Sequence, residues 1–245
     1  MTRPTIYGDL EVRIAGVASL AEPRRRALYR FVVARGSAVT KDEAAAAMGI
    51  ARSVAAFHLD RLVADGLLTT EFRRLTGRQG PGAGRPAKLY RRAEGDLSVS
   101  LPSRQYDLAA GLLAAAVNDA TRAGTQVGAA LARVATERGR ELGERAREAA
   151  GERPSRRSRV DAALAVLAAQ GYEPRTRDRE VVLANCPFHA LVDEQRDLVC
   201  GMNLDLLCGL ADAVGDDVLT ARLAPTDGNC CVRLDVGRHA RKDGR

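Results

Sequence analysis

Residues 40–66 read TKDEAAAAMGIARSVAAFHLDRLVADG, two helix-forming runs divided by a glycine at position 49. Thr40 stands three residues before Glu43, the spacing at which a hydroxyl and a carboxylate satisfy each other's backbone N–H groups at a helix start. This predicts a short helix through Ala44–Met48 that stops at Gly49. The second run places Val54, Phe57, Leu62 and Val63, with Leu59 beside them, on one apolar stripe, and Gly66 closes it. Two short helices about a glycine turn form a helix-turn-helix, whose second helix enters a DNA major groove. Its early positions Arg52, Ser53, Ala55 and Ala56 are expected to face the groove, with His58 and Arg61 further along.

Outward from this pair, Pro23 at a first-turn position and Leu28, Phe31 and Val32 at helical spacing predict a preceding helix. On the other side LLTTEFRR and KLYRRA alternate as strands, joined by LTGRQGPGAGRPA, too rich in Gly and Pro to pack a core. From Glu71 to Arg92 the hairpin carries Arg73, Arg74, Arg78, Arg85, Lys88, Arg91 and Arg92 against Glu71 alone. A basic hairpin tip of this kind suits contact with phosphates. The order of helix, helix, glycine turn, helix and basic hairpin resembles the winged-helix domain of ArsR-like and DeoR-like bacterial transcription regulators over about Ser19–Ala93, most specifically in GRPAKLY.

Charge agrees with that division. Of 38 basic and 31 acidic residues, 18 and 10 lie in residues 1–104, leaving 20 and 21 for the remainder. The 245 residues, 46% of them hydrophobic, suffice for two ordinary domains. No run approaches the roughly 18 apolar residues of a membrane span, and MTRPTIYGDL lacks the apolar core of a secretory signal. The expectation is a cytoplasmic chain without membrane contact.

After Pro102 an Ala-rich stretch of helical period carries Leu108, Leu112, Val127, Leu131 and Val134, interrupted near Ala123–Gly124, which predicts two helices. Their functional reading is dimer contact and the alternative is simple packing against the next domain, while residues 137–159 read as a charged linker or a solvated terminus. Val160–Gln170 is a short amphipathic helix; YEPRTR and EVVLANC are strands, followed by two helices and the strands LTARLAP and CCVRLDV. All five cysteines, Cys186, Cys200, Cys208, Cys230 and Cys231, fall in this last third. An odd count without a secretory signal favours metal binding, redox chemistry or buried thiols over a disulfide framework.

In NCPFHALVDEQRDLVCGMN, residues 185–203, Cys186 ends a strand before Pro187 and is placed at a helix start, where a thiolate is favoured. Cys200 begins the second helix of the pair. Cys208 lies eight residues on, about 12 Å along a continuous helix, and is assigned to packing. Strand alternation puts Cys230 with Val232, Leu234 and Val236 toward the interior and leaves Cys231 as the alternative. The pattern C-x13-C-x29-C lacks the tight pair of structural zinc sites and suits an iron–sulfur cluster at least as well, with His189 as a candidate fourth ligand.

The NCPF corner, the LVCGMNLDLL helix and the terminal CC strand are similar to the SufR-type repressors of iron–sulfur assembly genes and their actinobacterial relatives. That resemblance implies a [4Fe–4S] cluster on three cysteines, here Cys186, Cys200 and one of Cys230 and Cys231. The expected fold class is α+β. It comprises an N-terminal winged helix-turn-helix domain over residues 19–93, a helical linker or dimerisation segment over 104–158, and a cysteine-bearing sensor domain over 159–237. The expected function is a homodimeric regulator, a repressor, bound to a double-stranded DNA operator and sensing redox or iron–sulfur status. One alternative replaces the cluster with zinc or a thiol switch between Cys186 and Cys200. Another is a cysteine-dependent enzyme with Cys186 as nucleophile and His189 as base, for which the sequence supplies neither an orienting acid nor a substrate pocket. The expectation is therefore no catalytic activity.

Overall fold

A computed structural model describes residues 10–74, 86–215 and 217–237. These fall into two compact units, residues 1–99 and 100–245, each mixing helices with one antiparallel sheet.

In the first unit α1 (Leu10–Ser19) precedes α2 (Pro23–Arg35), β1 (Val39–Thr40), α3 (Lys41–Met48) and α4 (Arg52–Ala64). The hairpin strands β2 (Leu68–Arg73) and β3 (Ala87–Arg92) follow. The capping box forms as the sequence predicts: the Glu43 N–H donates to Thr40 Oγ1 at 3.1 Å, and the Thr40 N–H donates to Glu43 Oε2 at 2.7 Å. Gly49 ends α3 at φ 62°, a left-handed turn that costs a glycine nothing, and the chain reverses into α4. Glu22 caps α2 by accepting from the Arg24 and Arg25 N–H groups. Pairing runs β1–β3–β2, with Thr70 opposite Tyr90 and Phe72 opposite Lys88. The core gathers Leu28, Val32, Val39, Ala44, Leu59, Leu62, Leu67, Leu68 and Tyr90. Helix α1 was not expected from the sequence; Gly16 lets it approach Leu97 and the Asp65 carbonyl.

The second unit holds α5 (Tyr106–Ala123), α6 (Val127–Ala150), α7 (Arg156–Ala169), β4 (Pro174–Arg177) and β5 (Glu180–Leu183). It ends with α8 (His189–Val214), β6 (Leu219–Leu223) and β7 (Val232–Val236). The break between α5 and α6 falls at Gly124, φ 65°, as expected. The linker expected over residues 137–159 is corrected. Helix α6 continues through it to Ala150 and buries Gly139, Leu142, Gly143 and Ala146 against the cysteine-bearing part. Residues 104–158 and 159–237 thus share one core instead of forming separate domains.

Helices α6 and α8 meet backbone to backbone. A Cβ at Gly139 would stand 1.9 Å from the Leu206 carbonyl oxygen, and one at Gly209 would stand 2.0 Å from that of Thr136. The sheet order is β4–β5–β7–β6, antiparallel throughout. The two helices expected after β5 are present: they run end to end as α8 and meet at a kink at Gln195, where φ is −132° and ψ 49°. No described helix is long and apolar enough to cross a membrane.

Candidate functional site

Four of the five cysteines converge at one buried place in the second unit. Cys186 lies in the turn between β5 and α8, where the Phe188 N–H reaches its sulfur. Cys200 lies on α8 beyond the bend, so it is past the helix start at which the sequence placed it. Cys230 and Cys231 come just before β7 and are 1% and 9% exposed. The Sγ atoms of Cys200 and Cys231 are 2.9 Å apart, and Cys186 hydrogen-bonds to Cys230. The expectation that only one of the adjacent cysteines faces inward is corrected. Regular strand begins at Val232, so alternation does not govern the pair. Cys208 sits two turns beyond Cys200 on the same helix, partly exposed.

The thiols are electrostatically unequal. Cys186 is held down to about 7, first by the hydrogen bond from Cys230 and then, against the cost of burial, by the Phe188 N–H and the Arg104 charge. Cys230 is pushed well above the ordinary thiol range by that same bond and by burial. Of this pair Cys186 is the one more readily ionised. Burial and the contact with Cys231 raise Cys200 to about 12.

Three further residues hold this centre, and the sequence reading passed over them. Asn203, 1% exposed, donates from Nδ2 to Cys230 Sγ at 3.2 Å and accepts from the Tyr172 hydroxyl at 2.5 Å. Its position three residues after Cys200, on the same helix face, was a legible signal. Arg104 Nη1 donates to Asn185 Oδ1 and to the Cys186 carbonyl at 3.1 Å. Asn185 Nδ2 donates to the Ser103 and Gly171 carbonyls at 3.0 and 2.5 Å. Nothing in the spacing announces contacts spanning 81 and 82 residues. A cavity of about 420 Å³ opens beside the thiols, lined among others by Arg104, Cys186, His189, Arg196 and Cys231.

As a donor set the four thiols fit a soft metal or an iron–sulfur cluster. Their spacing is tighter than a loaded site needs: two sulfurs sharing a tetrahedral zinc with 2.3 Å bonds stand about 3.8 Å apart. Among the described residues no group of three His, Cys, Asp or Glu side chains is arranged as metal ligands. His189 is the exposed first residue of α8 and lines the cavity wall.

In the first unit α4 exposes Arg52, Ser53, Phe57, Asp60 and Arg61, with Ala56 half-buried. Two expected groove-facing residues are corrected. Ala55 is wholly buried, and His58 turns inward until Nδ1 lies 3.7 Å from Glu22 Oε2. Phe57, expected in the buried stripe, is instead 68% exposed. Arg52 pairs with Asp42 at 3.2 Å, Arg61 with Asp65 at 3.0 Å, Arg73 with Glu71 at 4.0 Å and Lys88 with Asp60 at 2.6 Å. Arg74 is exposed at the end of β2; Arg78 and Arg85 lie outside the described residues. Comparison of the chain with protein-family models, with curated proteins and with solved structures finds no match.

Proposed function

We propose that this chain is a DNA-binding transcription regulator, a repressor acting as a homodimer, and not an enzyme. Its first unit is read as a winged helix-turn-helix domain that binds double-stranded operator DNA. Its second unit is read as a sensor that binds an iron–sulfur cluster, [4Fe–4S], through Cys186, Cys200 and the Cys230–Cys231 pair. The observation that carries this reading is the meeting of four cysteines from three separate segments as two adjoining thiol pairs, three of the four thiols buried.

Each residue has a task in this reading. A bound cluster supplies redox chemistry and a bond set sensitive to oxidants. Cys186, more readily ionised than Cys200 and Cys230, is the ready ligand; Asn203 fixes Cys230, and Arg104 offsets negative charge at Cys186. On the DNA side, Arg52, Ser53, Ala56 and Arg61 share the exposed face of α4 with Phe57, which can pack on a thymine methyl. Arg73 and Lys88 stand on the hairpin strands, with Arg74 next after β2, for phosphate contact.

The test is a visible absorption spectrum with iron and acid-labile sulfide assays on protein purified without oxygen, beside Cys186→Ser and Cys200→Ser. The expected result is a broad band near ~400 nm in the wild type and its loss in both variants. A colourless wild type without sulfide overturns the cluster. The contact between Cys200 and Cys231 at 2.9 Å favours one second reading, a metal-free thiol switch using the pairs Cys186–Cys230 and Cys200–Cys231. Two thiols lost per oxidant molecule, with no metal present, would select it; stoichiometric zinc would select a zinc site.

A further inference from the structure

The first unit ends at Val99, and residues 100–105 are the covalent path from it into α5. This path is bonded to the cysteine corner from each of Ser103, Arg104 and Gln105. The Gln105 N–H donates to the Pro187 carbonyl at 3.0 Å. The Arg104 guanidinium bridges Asn185 Oδ1 and the Cys186 carbonyl, and Asn185 returns a bond to the Ser103 carbonyl. There is no slack beneath the path either: a Cβ at Gly171 would stand 2.9 Å from the Ser103 side chain.

We propose that Ser103–Gln105 and the Asn185–Pro187 corner form a latch, in which a change of partner at Cys186 is transmitted through Arg104 and Asn185 to the chain leading from the first unit. What the latch regulates rests on the reading of that unit as DNA-binding; the latch itself does not. The Cys186 side chain, its own carbonyl and the next carbonyl belong to one tight turn, since the His189 N–H also closes onto the Cys186 carbonyl at 3.1 Å. A sulfur that leaves Cys230 for another partner rotates this turn. Rotation must then carry Ser103–Gln105 along or break some of these four bonds, because a hydrogen bond weakens steeply once its distance and angle leave a narrow range. Arg104 acts here as a positioning residue.

The experiment follows hydrogen exchange at the Gln105 amide by mass spectrometry in the full chain. Three states are compared: all thiols free, Cys186 carboxamidomethylated with iodoacetamide as verified by peptide mass, and protein reconstituted with iron and sulfide. Exchange at Gln105 should rise at least tenfold on modification of Cys186. In Arg104→Ala it should be fast in every state. Asn185→Ala removes a nearly buried anchor and can unfold the corner, so Arg104→Gln, which removes the charge while leaving Asn185 in place, is the second variant. Identical exchange at Gln105 before and after verified modification of Cys186 overturns the latch. The same proteins are then titrated with a mixed-sequence DNA duplex at low salt. An affinity that depends on thiol state in the wild type and loses that dependence in Arg104→Ala supports transmission; dependence retained in Arg104→Ala overturns it. Absence of any duplex binding refutes the DNA-binding reading, while the exchange result still decides the latch.

Discussion

At the residue scale Asp60 fixes the hairpin to α4. Its Oδ1 accepts from Lys88 Nζ at 2.6 Å and from the Tyr90 hydroxyl at 2.8 Å, and Tyr90 is 2% exposed. Burial works against the carboxylate, but the two hydrogen bonds outweigh it and lower Asp60 below its ordinary value of 3.8. A carboxyl lowered on folding stabilises the fold above its unfolded value, and that contribution is lost as pH falls through the folded value. Asp60→Ala should cost about 1–3 kcal/mol, because it strands a buried hydroxyl. Asp60→Asn, which can still accept from Tyr90, should cost less. Urea unfolding at pH 7 and again at about pH 3 checks both: the wild type should lose more stability than Asp60→Asn on acidification, and equal losses would mean that the carboxylate is not the anchor. The same helix shows what single residues concealed. Apolar character suggested Phe57 for the core, yet Phe57 lies about 200° around the helix from Ala55 and Leu59, so it projects outward. Size misled where angle decided.

At the element scale, turn chemistry was the most legible part of the chain. Thr40, Gly49 and Gly124 placed their helix ends correctly because capping depends on neighbours only. The charged run after residue 137 was misread because α6 buries mainly small residues there, Gly139, Gly143 and Ala146, which carry little hydrophobic signal. Their use is proximity, and this sets opposite signs for one substitution. At Gly111, where an added Cβ meets nothing within 4 Å, alanine should stabilise α5 by about 0.5–1 kcal/mol. At Gly139 the Cβ falls 1.9 Å from a backbone oxygen, so α6 and α8 must part, and alanine should cost about 1–3 kcal/mol after that gain is offset. Thermal unfolding of Gly111→Ala and Gly139→Ala should move Tm in opposite directions; stabilisation by both would deny the close crossing. The thiol centre was half legible for a related reason. Spacing and composition singled out Cys186 and Cys200, and Asn185 stands beside Cys186 in the sequence, but Arg104 and Tyr172, which bond to Asn185 and Asn203, arrive from elements that no local pattern connects.

At the scale of the whole molecule the charge division follows the contact boundary. Residues 1–99 hold 17 basic and 10 acidic residues, and residues 100–245 hold 21 of each, so the entire net charge of +7 belongs to the first unit. Several of its cations are already paired with carboxylates of the same unit, which makes the number of phosphates engaged smaller than the count of arginines. Association with duplex DNA releases counterions in proportion to the phosphates neutralised, with log K falling by about 0.9 per contact for each decade of salt. If the neutral second unit serves to join two copies, the full chain should show a salt slope about twice that of a 1–99 fragment measured at concentrations where the fragment binds singly. The cores support such a fragment, because Leu28, Leu59, Leu62 and Tyr90 pack within residues 1–99 and share no cluster with the second unit. Fluorescence titrations between about 50 and 200 mM salt read both slopes. A doubled slope establishes two DNA-binding units per complex and gives the linker at Ser103–Gln105 two units to orient. Equal slopes mean that a single copy binds, and the second unit then acts on one DNA-binding unit alone.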